Sequence, residues 1–227
     1  MKKLIAAIIF FTALPITAIA LTGCMGNDID NPGELKPVEI REYEGQKLSS
    51  VNDFRENSIK GPQSVDIGSY QLKVSGLVEK PESYTYDEII GANSNYRKVV
   101  TLNCVEGWSA TILWEGVLVS DLIAKSGPLD DAKIVIFHAS DGYTTSLPLE
   151  YIVSNDILMA YNMNDINLPK ERGFPFQLVA ESKWGYKWIK WITEIELSDD
   201  VSYEGYWESR AYSNEADLDK GFFERRY

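Results

Sequence analysis

Apolar positions in this chain recur mostly at strand spacing, in short runs bounded by turn residues. Tyr70, Leu72 and Val74 alternate with polar neighbours and Gly76 closes the run, which predicts a strand. Residues 98–102, 110–114 and the β-branched stretch 133–137 predict three more, and Asp141-Gly142 signals a turn into a strand over 143–147. Residues 176–180 and 188–197 predict the last two, joined by 181–187. Helical spacing is scarcer. Thr85-Tyr86-Asp87-Glu88 has the form of a capping box ahead of Ile89 and Ile90. Residues 117–125 place Val117, Leu118, Leu122 and Ile123 on one face before Gly127-Pro128, and 149–153 read as a third short helix. Many short strands, three short helices and no βαβ alternation predict a mixed, β-rich α+β domain.

The N-terminus breaks this pattern. Lys2 and Lys3 precede an uncharged apolar stretch over 4–20, and Leu21-Thr22-Gly23 forms a small-residue exit, as in a secretory leader. Cys24 follows at once, and Leu-Thr-Gly-Cys resembles a bacterial lipobox, in which that Cys carries the lipid. An ordinary signal peptide with a chance Cys is the alternative. The expected organisation is a leader at 1–23, a lipidated Cys24 with a flexible tether over 24–50, and one domain over 51–227. The stretch 39–61 is read as irregular chain over the domain surface, and the aromatic segment 203–212 as packing back on the domain.

Charge removes whole classes of partner. The net charge is −12, and loss of Lys2 and Lys3 with the leader takes it to −14. Nucleic acid and anionic lipid surfaces are therefore excluded, and membrane attachment is expected from acyl chains at the extracytoplasmic face. One histidine, His138, rules out the usual zinc constellations. With Cys24 given to lipid, Cys104 is the sole free thiol and no intramolecular disulfide is expected.

Cys104 lies in Thr101-Leu102-Asn103-Cys104-Val105-Glu106-Gly107-Trp108-Ser109, where a strand ends and the backbone turns. Such a cysteine is either a small buried hydrophobe or a ligand in a strand-end loop. A nucleophile pair of Cys104 and His138 is a further reading, against which His138 sits inside an apolar strand and is expected in the core.

Cys104-Val105-Glu106-Gly107-Trp108-Ser109, Trp114-Glu115-Gly116-Val117, Asp141-Gly142-Tyr143 and Gly173-Phe174-Pro175 stand ahead of Lys183-Trp184-Gly185-Tyr186-Lys187-Trp188-Ile189-Lys190. In this order and spacing they resemble the sulfite oxidase-type molybdopterin domain, closest to the branch of the periplasmic protein-methionine-sulfoxide reductase catalytic subunit. The resemblance covers about 52–212. It implies a molybdenum-molybdopterin cofactor whose metal is ligated by Cys104, a soft thiolate suited to a soft redox metal. It implies Glu106 as a hydrogen-bonding or proton-handling group near the metal. Asn52-Asp53-Phe54-Arg55-Glu56 looks like the family's upstream cofactor segment, with Arg55 where the family has Tyr, so that Asn52, Arg55 and Glu56 are carried over as cofactor-binding. Arg172, Gln177, Lys187 and the stretch Trp188, Ile189 and Lys190 are carried over likewise, the cations and backbone as phosphate donors.

Two departures qualify the resemblance. Gln177 stands where the family has Arg, which removes a cation and disfavours sulfite as substrate. The leader has Lys2-Lys3 and no twin-arginine pair. The implied activity is a two-electron oxygen-atom transfer on a small oxo substrate, with a membrane haem or quinone-linked electron-transfer partner. The alternative is a non-catalytic surface lipoprotein that binds a ligand or partner with the same fold.

Overall fold

The computed structural model describes residues 38–223. The expected leader, the lipidation site at Cys24 and the tether up to residue 37 lie outside the described residues. The chain enters the domain earlier than residue 51. A two-residue hairpin, β1 (Glu42–Tyr43) and β2 (Gln46–Lys47), leads to the buried Leu48. Glu39 accepts from Ser50 Oγ at 2.9 Å, from the Val51 amide at 2.7 Å and from Asn164 Nδ2 at 3.0 Å. The stretch 39–50, expected as tether, is thus fastened to the domain by charge-assisted hydrogen bonds.

Two five-stranded sheets carry the fold. The first orders β10 (Ile166–Asn167), β9 (Leu158–Met163), β6 (Ser109–Leu118) and β5 (Tyr96–Asn103), with β11 (Gln177–Val179) also pairing on β9. The second orders β4 (Glu82–Tyr84), β3 (Leu72–Gly76), β12 (Ile192–Ser198), β7 (Ile134–Ala139) and β8 (Thr144–Pro148). Within it β12 runs parallel to β3 and antiparallel to β7. The helices are α1 (Tyr86–Ala92), α2 (Val119–Ser126) and α3 (Leu149–Ser154). The expected α+β class, rich in strands with short helices, is the observed one.

The capping box forms as the sequence dictates, Thr85 Oγ1 accepting from the Glu88 amide and the Glu88 carboxylate accepting from the Thr85 amide. Helix α2 starts two residues later than its periodicity predicts, because Val117 and Leu118 pair with Met159 and Leu158 as the end of β6. The predicted strand over 188–197 begins only at Ile192, since Trp191 adopts φ +55° and breaks the extended run. Strand β9 has no signal in the pattern. It is buried along both faces, so Leu158, Met159, Ala160 and Tyr161 show no alternation, and none of its residues is β-branched. His138 is a correction too. It lies on β7 with its side chain 31% exposed, bonded to Glu196 at 2.8 Å, and is not in the core.

Candidate active site

Between β5 and β6 the chain makes a tight loop, closed by hydrogen bonds from the Cys104 amide to Trp108 O at 2.9 Å and from the Gly107 amide to Cys104 O at 3.0 Å. Gly107 sits at φ +86°, a conformation that side-chain-bearing residues resist. Asn103 also bridges to Trp184 in parallel register, which brings the turn 184–188 against the cysteine loop. The approach is close: a Cβ on Gly185 would lie 3.2 Å from Asn103 O.

These loops open on a cavity of about 420 Å³. Cys104 lines it and is only 9% exposed. Burial pushes the thiol pKa up, and the Glu106 carboxylate adds to this; the Glu106 backbone N–H, the Asn57 amide and Arg55 act the other way. Asn57 Nδ2 donates to Cys104 Sγ at 3.6 Å. Asn57 is a site residue that the sequence reading missed; its position one residue beyond the Asn52–Glu56 segment was the available signal.

Of the residues carried over from the resemblance, Arg55, Glu56, Glu106, Arg172, Gln177, Trp188, Ile189 and Lys190 also line the cavity. Asn52 and Lys187 do not. Asn52 is exposed, with its amide on Ser50 Oγ. Lys187 is wholly buried and donates to Glu208 at 2.6 Å, to Ser146 O at 2.9 Å and to Asn214 at 3.0 Å, so its ammonium serves the core and not a phosphate.

The cations that do reach the cavity have protein partners. Arg172 donates to the backbone carbonyls of Val51, Phe54 and Arg55, and its guanidinium lies 3.9 Å from the centre of the Phe54 ring. Lys190 donates to Glu56 at 2.5 Å and to Glu171 O at 3.2 Å; burial lowers its pKa and Glu56 opposes that. Arg55 and Glu106 face each other at 3.9 Å, and Trp108 Nε1 donates to Glu106 at 3.2 Å. Gln177 is the exception. It is 3% exposed, yet its Oε1 accepts no hydrogen bond from the protein. A buried acceptor left alone costs about 1–3 kcal/mol, so this position asks for a donor from a bound group.

The same chain matches the family model described as the oxidoreductase molybdopterin binding domain over residues 59–207. It is 32% identical over 157 residues to the uncharacterized oxidoreductase YuiH of Bacillus subtilis, covering 69% of this chain and 78% of that protein. It is 35% identical over 194 residues to the putative protein-methionine-sulfoxide reductase subunit YedZ1 of Azospira oryzae, covering 84% and 71%. The protein-methionine-sulfoxide reductase catalytic subunit MsrP of Xanthomonas campestris is 29% identical over 215 residues, covering 81% and 67%. Among solved structures, the sulfane dehydrogenase SoxCD of Paracoccus pantotrophus shares the fold with a TM-score of 0.60 at 23% identity, over 68% of this chain and 43% of that one.

The chain therefore belongs to the oxidoreductase molybdopterin binding domain family, in the sulfite oxidase-type group near the methionine-sulfoxide reductase branch. It is a molybdenum-cofactor oxidoreductase. The cavity fits that cofactor on its own chemistry. It offers one soft thiol and, at Gln177, a buried acceptor without a protein donor, with the Glu56-paired ammonium of Lys190 also on its wall.

Proposed function

We propose that this protein is a sulfoxide reductase, a membrane-attached enzyme in which Cys104 gives molybdenum its protein sulfur. The bound cofactor supplies the two-electron couple for oxygen-atom transfer. The overall change is a sulfoxide, two electrons and two protons giving a sulfide and water. The electrons come from a membrane haem or quinone-linked partner, and Cys24, lipidated on the extracytoplasmic face, holds the enzyme beside it.

The observation that carries this reading is the buried Cys104 thiol lining a cavity whose less exposed cations, Arg172 and Lys190, are already bonded to the protein. An oxyanion substrate such as sulfite would need free cations, whereas a neutral sulfoxide needs only a donor and an apolar wall. Gln177, whose buried Oε1 lacks a protein donor, would hold a polar group of the cofactor. Glu106, which lines the cavity with its side chain 45% exposed and accepts from Trp108 Nε1, would pass protons from water to the reduced oxygen.

The test is molybdenum analysis of protein purified from its native membrane, with sulfoxide reduction followed by a reduced dye. One molybdenum per chain and turnover are expected, both lost in Cys104→Ser. Full molybdenum retention by Cys104→Ser would overturn the ligand, and a loaded enzyme inert to sulfoxides would overturn the substrate.

A further inference from the structure

Part of the cavity wall comes from the end of the chain. Trp207 and Tyr212 both line it, and Tyr212 lies beyond the last residue matched by the family model. The two rings stand 5.1 Å apart, and Tyr212 meets Tyr186, another lining residue, edge-on at 5.1 Å and 73°. Tyr206 rests on the lining Tyr143 at 5.7 Å. The rings are fixed from behind. The Tyr206 amide donates to Thr144 O at 2.9 Å and the Tyr212 amide to Trp207 O at 3.2 Å. Between them Glu208 is wholly buried and accepts from Lys187 and from Thr145 Oγ1, each at 2.6 Å. Trp207 and Tyr212 are themselves only half-buried, so ring surface is held out toward the cavity with little freedom to lose.

We propose that Trp207 and Tyr212 form a specificity wall that selects neutral sulfoxides bearing an aryl or other flat apolar substituent over small ones. This rests on the sulfoxide-reductase reading above. Aromatic faces reward a flat apolar group and polarisable sulfur, while Arg172 and Lys190 are already bonded to the protein and offer an oxyanion little.

The test is calorimetric titration of the full, cofactor-loaded protein with methyl phenyl sulfoxide and with dimethyl sulfoxide, alongside KM and kcat for both. The parent is expected to prefer the aryl compound. In Trp207→Ala and in Tyr212→Ala that preference should fall about tenfold, which corresponds to 1.4 kcal/mol. It should return in Tyr212→Phe, which keeps the ring, and the loss should appear in KM more than in kcat. Molybdenum content equal to the parent's shows that the variants fold and load. A preference unchanged in both alanine variants, or a parent that binds the two compounds alike, overturns the wall. Sulfoxides bound with the expected preference but not reduced would leave the wall standing and overturn the activity instead.

Discussion

The side-chain amide of Asn57 reaches the sulfur of Cys104 at 3.6 Å across 47 positions of sequence. A donor on a thiolate withdraws electron density from it, and a metal bound through that sulfur becomes easier to reduce. Asn57→Leu should keep its molybdenum and lower the midpoint potential by tens of millivolts, given that 1.4 kcal/mol is about 59 mV for a one-electron couple. Potentiometric titration followed by electron paramagnetic resonance reads this directly. An unmoved potential would mean that the amide does not act on the sulfur.

The pair Lys187 and Glu208 sits in the core with neither side chain exposed. Removing one partner strands a buried charge at a cost of roughly 3–5 kcal/mol, whereas replacing both with apolar groups avoids that cost. Denaturant unfolding should place Glu208→Ala far below the parent and the double variant Lys187→Met, Glu208→Leu closer to it. If the double variant proved the weaker of the two, the network would be adding stability beyond charge pairing.

Asp217 ties the C-terminal segment to the turn before Trp184. It accepts from Lys183, and from Lys220 at 3.2 Å. The hydrogen bond from Lys183, with Lys220 adding to it, holds the Asp217 carboxyl below its ordinary 3.8. A lowered folded pKa means the contribution is complete above the unfolded value and disappears as pH falls through the folded one. The difference in Tm between the parent and Asp217→Asn should therefore be greatest above pH 3.8 and close under more acid conditions. A gap that widens in acid would reverse the sign of this linkage.

Legibility in the sequence followed the range of the interactions. The capping box at Thr85 and Glu88, the β-branched run of β7 and the turn at Asp141-Gly142 are local, and each stood where the pattern placed it. Motif order located the cysteine loop and its neighbour at 184–190. Long-range partnership was hidden. Lys187 and Lys190 look alike in sequence, yet one faces Glu208 in the core and the other faces Glu56 at the cavity. Asn57 carries no local mark of its sulfur partner. Strand β9 was hidden for a different reason: burial on both faces erases the alternation that marks a half-exposed strand.

The position of β12 in its sheet bears on how the protein is made. It lies between β3 and β7, so without it the second sheet is only two hairpins, β3 with β4 and β7 with β8. The cavity draws on residues from Phe54 to Tyr212 and reaches its aromatic wall only after β12. During N-to-C synthesis the cavity therefore comes last. Cys104, Gln177 and Lys190 precede β12, so the groups that would hold the cofactor are synthesised before the strand that joins the two hairpins and before Trp207 and Tyr212.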